Sequence, residues 1–199
     1  SAVTDEAISV AEDRFDTLYV MDIEERDALN TVVTSSVQNV HVKNTATAFA
    51  DRALDSSFAA AYFPDLIKQV SIKTLRPESG NEEIDVVEKR VPPSIGVLNA
   101  IAVNDSVKFP WFAPAGETRG VTGATSSTMR QLNAANLDAL NARKINPIVS
   151  KPTGDATSGP IVMGQRTLQV AATALDRVNV RRLLIDVRRS IKQVAQGLI

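Results

Sequence analysis

Apolar positions in this chain recur in two rhythms, one of strands and one of helices. Phe58 to Phe63 (FAAAYF) is a continuous apolar run stopped by Pro64, and it reads as a buried strand. Phe15 to Ile23, aromatic and β-branched between charged flanks, predicts a second buried strand. Leu66 to Leu75 places Ile67, Val70, Ile72 and Thr74 among polar residues and predicts a strand with one wet face. Helical rhythm appears over residues 4–12, which are acidic. It recurs over Glu24 to about His41, with Ala28, Leu29, Val32, Val33 and Val37 on one side, and over Asn44 to Leu54. Pro92-Pro93 opens a further helix, because proline at the first helical position loses only an amide that had no partner. Ile95, Val97, Leu98, Ile101 and Ala102 carry that helix towards Asn104-Asp105. Between these elements, residues 77–81 read as a turn and the segment through Glu88 as a charged strand or loop.

The pattern changes after Gly116. Gly116, Gly120 and Gly123 lie among Thr and Ser, so residues 116–128 predict a loop or irregular strand. Asn136 is placed to cap a short helix through Asn141. Ile145 to Val149 returns to strand, residues 151–160 form a turn-rich loop, and Ile161 to Leu168 supply another strand. Strands alternating with helices in the first part predict an α/β sandwich. A domain boundary near residue 116 divides the chain into 1–115 and 116–199.

The last segment is the clearest helix. Counting about 100° per residue from Val180, Leu183, Leu184, Val187, Ile191, Val194, Ala195 and Leu198 lie within about 60° of one line. Arg181, Arg182, Arg188, Arg189 and Lys192 occupy the adjoining face. An apolar core face beside a solvated cationic stripe is one reading; a dock for an acidic partner is the other.

Charge sharpens this picture. Net charge is -1 over 199 residues, which argues against a general nucleic-acid binder, since phosphate affinity needs clustered Lys and Arg. The balance is uneven. Residues 1–30 carry nine acidic and two basic side chains, whereas residues 176–199 carry six basic and two acidic. No apolar run approaches the roughly 20 residues that span a bilayer, and the acidic start is unlike a signal peptide, so no membrane insertion is expected.

Candidate chemistry is sparse. Without cysteine, disulfides, thiolate zinc sites and cysteine nucleophiles are excluded. His41 is the lone histidine, and Val40-His41-Val42 has no nucleophile signature beside it, so it reads as structural. Glu24-Glu25 and Glu82-Glu83 read as solvated charge, because neighbours on a helix point about 100° apart. The glycines at 116, 120 and 123 lack the G-K-[ST] ending of a phosphate loop. Asp51, Asp55, Ser56 and Ser57 read as a helix end, since no base is at hand to activate either serine. No catalytic residue, metal site or cofactor is expected.

Pro110 and Pro114 hold the backbone extended around the only tryptophan, and a core Trp111 pinning a loop is the plain expectation. Several segments together, in order, go further. They are Asp55 to Pro64 (DSSFAAAYFP), Val91-Pro92-Pro93-Ser94, Trp111-Phe112-Ala113-Pro114-Ala115-Gly116, Leu140-Asn141 with Ile145-Asn146-Pro147-Ile148, Gly164-Gln165-Arg166-Thr167-Leu168, and Val178 to Leu183 (VNVRRL). Over residues 55–199 this series resembles the contractile phage tail sheath proteins; residues 1–54 fit by pattern only.

The resemblance implies a subtilisin-like α/β sheath domain without protease machinery, 1–115, followed by a smaller α+β C-terminal sheath domain, 116–199, expected to be incomplete. It implies a motif role for Pro92, Pro93, Trp111, Pro114, Gly116, Asn146, Pro147, Arg166 and Arg181. It implies a helical homopolymer around a tail tube protein, capped by baseplate and tail-terminator proteins, made in a host cytoplasm and carried in the virion. Arg182, Arg188, Arg189 and Lys192 are the expected tube-facing residues. Family members extend beyond both ends of this segment, so it is expected to be a core portion of a subunit. The sheath of a tailocin or extracellular injection system is the near alternative. A subtilisin-like hydrolase using His41 is the alternative of another class.

Overall fold

The computed structural model describes residues 2–34, 40–75, 82–107, 109–129, 131–150 and 159–197. In chain order the elements are α1 (Ala2–Arg14), β1 (Tyr19–Asp22), α2 (Val42–Ala50), β2 (Ala59–Phe63), β3 (Leu66–Leu75), β4 (Glu82–Val91) and α3 (Pro93–Val107). Then come β5 (Ser126–Ser127), α4 (Ala134–Asn141), β6 (Ile145–Val149), β7 (Ile161–Val162) and α5 (Val178–Gln196), the last preceded by a 3-10 turn at Ala174–Asp176.

The central sheet has the order β1-β2-β6-β7, with β1, β2 and β6 parallel and β7 antiparallel to β6. It takes strands from both sides of residue 116. Every residue of β2 is buried, as a parallel strand covered on both faces requires. Ala59, Ala61 and Phe63 pack with Ile8 of α1, Phe49 of α2 and Leu140 of α4. Ala60 and Tyr62 point the other way, onto Val97 and Ala100 of α3 and Val178 of α5. The result is mixed α/β, with helices on both faces of the sheet. A second sheet, β4-β3-β5, is antiparallel and joins the first through the Pro64-Asp65 turn.

Several expected elements differ. The strand expected over Phe15 to Ile23 shortens to β1, because α1 runs to Arg14 and Phe15 takes a left-handed φ of 56°. No helix forms over Glu24 to Thr34. There the Asp27 carboxylate accepts from the amides of Leu29 and Thr31, Asn30 turns left-handed, and Arg26 bridges Val32. This local capping of the backbone outcompetes a helix whose threonines already weakened it. Val37 lies outside the described residues. The short helix α4 is capped by Asn133, whose Oδ1 accepts from the Asn136 amide, so Asn136 is inside it. The strand expected over Ile161 to Leu168 is only β7. The turn at 77–81, the side chains of Glu82 and Glu83, the loop at 151–158 and Leu198 lie outside the described residues.

The helix expected from Pro92-Pro93 is present. Pro93 is the first residue of α3, and the Asp22 carboxylate accepts from the Ser94 amide and hydroxyl at its start. Asn146 is buried and its side chain holds the Gly164-Gln165-Arg166 segment to the sheet. Its Nδ2 donates to the Ala61 and Arg166 carbonyls at 3.0 and 2.7 Å, and its Oδ1 accepts from the Arg166 amide. Pro147 accepts from Met163 through its carbonyl. A β-carbon on Gly164 would stand 2.6 Å from Asn146 Oδ1, so the two motifs fit only with glycine there. Among the described residues no helix is long and apolar enough to cross a membrane.

Candidate interaction surface

Helix α5 is fixed at its start and bare beyond it. Val178 is fully buried and donates its amide to the Gln165 carbonyl. Arg181 is buried, donates to the Ser57 hydroxyl and lies 3.9 Å over the Phe58 ring. Burial lowers its pKa, since a desolvated cation is disfavoured. Arg182 pairs with Asp105 of α3 and donates to the Pro110 carbonyl, while Asn179 donates to the Trp111 carbonyl. One turn of α5 therefore grips the end of α3 and the tryptophan loop together.

Further along, Arg188 stands 4.6 Å over the Phe15 ring, and Phe15 meets Phe58 edge-on at 5.3 Å. The left-handed turn at Phe15 aims that ring at the helix. A row of Arg181, Phe58, Phe15 and Arg188 thus seats α5 by cations on aromatic faces, each contact contributing about 0.5–2 kcal/mol. Beside it runs a cleft of about 360 Å³ lined by Arg14, Asp16, Arg188, Arg189, Lys192 and Gln193. Asp16 keeps its charge there. Hydrogen bonds from Arg14 and Thr17 hold its pKa down to about 2.

The apolar face of α5 does not reach the core, which corrects the reading of an ordinary core helix. Leu184 and Val187 are 44% and 43% exposed, Ile191 and Val194 64% and 66%. The cationic side, not the apolar one, is turned towards α1. Sequence periodicity finds an amphipathic helix but carries no information on which face meets its own chain.

The tryptophan loop departs from expectation in the same way. Trp111 is 40% exposed and stacks on Phe109 at 4.4 Å, so it is not a core residue. Pro114 is buried. Gly116 takes a φ of 90°, a backbone region that side chains rarely adopt, and its amide donates to Val162 on β7.

A third feature was hidden from sequence reasoning. Glu25, expected to be solvated, is 1% exposed and accepts from the Asp65 amide, the Thr128 hydroxyl and Arg90. Arg90 also bonds Asp65 at 2.6 Å. Burial, with Glu25 nearby, pushes the Asp65 carboxyl up to about 6 in spite of Arg90. This cluster ties the root of the β3–β4 hairpin to the sheet.

The residues tested for catalysis have other occupations. His41 is exposed and caps α2, accepting from the Asn44 amide through Nδ1. Asp51 ends α2, Asp55 accepts from the Val170 amide, and Ser56 donates to Glu12. Among the described residues no group of three His, Cys, Asp or Glu could hold a metal ion.

The described surface is thus an amphipathic helix with an exposed apolar face on a mixed α/β core. No family model matches the chain. Over 106 residues, 53% of its length, the chain is 35% identical to the tail sheath protein of Vibrio phage KVP40. Over 105 residues it is 30% identical to the tail sheath protein of Enterobacteria phage T4. These matches span 15% of the length of each phage protein. In fold it is similar to a chain of the contracted sheath complex of the PVC extracellular contractile injection system. There the TM-score is 0.63 at 24% identity, covering 90% of this chain and 41% of the other. A chain of the anti-feeding prophage baseplate gives 0.54 at 22% identity, over 73% and 33%. Over about half its length the chain is thus similar in sequence to two phage tail sheath proteins, and its fold is similar to that of a sheath-complex chain.

Proposed function

We propose that this chain is part of a structural subunit of a contractile sheath, which polymerises helically around a tail tube and contracts to drive that tube through a host envelope. The observation that carries the reading is the 35% and 30% identity to two phage tail sheath proteins, supported by the sheath-complex fold. The rigid α/β core suits a brick that rotates as a unit while its contacts with neighbours change. The finer fold reading is a non-catalytic subtilisin-like domain followed by a smaller α+β unit divided near residue 116. Its expected partners are other sheath subunits, the tube, and baseplate and terminator proteins, within a virion or a related particle. The PVC and anti-feeding prophage likeness favours the sheath of an extracellular injection system as the second reading.

Tube contact is assigned to Arg188, Arg189 and Lys192, which are exposed; Arg182 serves by bracing α5 against Asp105. The attraction is a screened one that sets register and releases on contraction. Electron microscopy of the intact gene product tests the function: hollow striated cylinders are expected, and monodisperse monomers under all assembly conditions would refute it. In a tube co-sedimentation assay, Arg189→Glu with Lys192→Glu should abolish the salt-sensitive part of binding.

A further inference from the structure

The outward apolar residues of α5 are spaced three, four and three, Leu184, Val187, Ile191 and Val194, with half-buried Val180 one turn before them. That is the narrow seam of a helix that pairs with another helix, rather than the broad face of a helix lying on a core. A shorter apolar line, ended by exposed Arg14, lies on α1. There Val3 is 78% and Val10 45% exposed with Ala7 between them, while Ile8 and Ala11 face inward.

The two seams are flanked by opposite charges. Exposed Arg188 and Lys192 lie about 80–120° to one side of the α5 seam. Exposed Glu6 and Asp13 lie about 60–80° to the other side of the α1 seam. When two parallel helices face each other, opposite flanks meet, so acids meet cations; antiparallel, they do not. Pairing α5 with α5 antiparallel would bring these cations together, and parallel pairing would set them against Ser190 and the single acid Asp186. Lengths also agree: α1 has 13 residues, and the bare part of α5 runs from Leu184 to Gln196.

We propose that α1 of one copy of this chain packs in parallel against the outer part of α5 of a second copy. Such a contact joins two different patches, so it repeats head to tail and builds an open array instead of a closed dimer. It rests on the sheath reading and extends it by naming a copy-to-copy contact, in which α1 carries no residue assigned to the tube. A short helix pair is weak alone, and strength comes from its repetition along the array.

Because the chain has no cysteine, introduced thiols report only on this contact. Copies carrying Val3→Cys are mixed with copies carrying Leu184→Cys or Val194→Cys and oxidised under mild conditions. The Val3–Leu184 disulfide should form about fivefold faster than the Val3–Val194 one. Glu6→Lys with Asp13→Lys should remove that advantage, and circular dichroism confirms that the variants fold. Dominant Leu184–Leu184 dimers, a Val3–Val194 preference, or equal rates would overturn the proposal. Arg188 and Lys192 serve both contacts, so the control is tube binding by the unoxidised Val3→Cys and Leu184→Cys copies: it should stay unchanged, and its loss speaks to the sheath reading and not to this contact.

Discussion

Asp65→Asn gives a direct handle on the charge cluster under the β3–β4 hairpin. In the folded protein the Asp65 carboxyl sits at about 6, above its ordinary value of 3.8, because burial and the nearby Glu25 outweigh Arg90. A raised carboxyl means that the folded state binds the proton more tightly than the unfolded chain. Its contribution to stability is therefore full below about pH 4 and is lost as pH rises through about 6. Two pKa units correspond to about 3 kcal/mol, and the side chain is only 17% exposed, so solvent screening takes little away. Guanidinium unfolding followed by circular dichroism, at steps from pH 4.5 to 7.5, should show the wild-type protein losing about 2 kcal/mol over that range. The asparagine keeps a carbonyl for Arg90 and carries no titrating group, so its profile should be flat there. A wild-type profile that is flat or rises with pH, or an Asp65→Asn profile that still falls, would refute the burial argument.

Asn146→Ala strips three hydrogen bonds from the backbone of buried Ala61 and half-buried Arg166 and should cost about 3 kcal/mol in chemical unfolding. Gly164→Ala should destabilise by about 1–3 kcal/mol, and less so when combined with Asn146→Ala, which removes the oxygen that the new methyl meets. Arg188→Lys keeps the charge but loses the flat cation over Phe15. Hydrogen exchange should quicken over residues 184–196 while the core sheet stays protected, and Phe15→Leu should do the same.

The strands and helices that pack on themselves were legible in the sequence. The all-apolar run at Ala59–Phe63 could hardly be anything but a central strand, and Pro92-Pro93 announced α3 one residue before it begins. What misled were positions decided by a partner far along the chain or by a local turn. Asp27 diverts Glu24–Thr34 from a helix by capping amides two and four residues on. Glu25 looks like surface charge until Arg90, 65 residues away, is folded against it. The α5 pattern gave the helix and its two faces, but the Phe15 turn that reverses their roles depends on a backbone angle no periodicity encodes. Trp111 looked like core because large aromatics usually are; here Asn179 and Arg182 hold its loop by backbone carbonyls and leave the ring partly in solvent.

Cryo-electron microscopy of the assembled particle, at a resolution that shows side chains, bears most directly on the claim that this chain is a sheath brick with α5 at its contacts. The account predicts the chain repeated helically around a central tube, with protein density against Leu184, Val187, Ile191 and Val194 and an acidic surface within reach of Arg189 and Lys192. A particle without a tube at its axis, or α5 standing in solvent along its whole outer length, would contradict it.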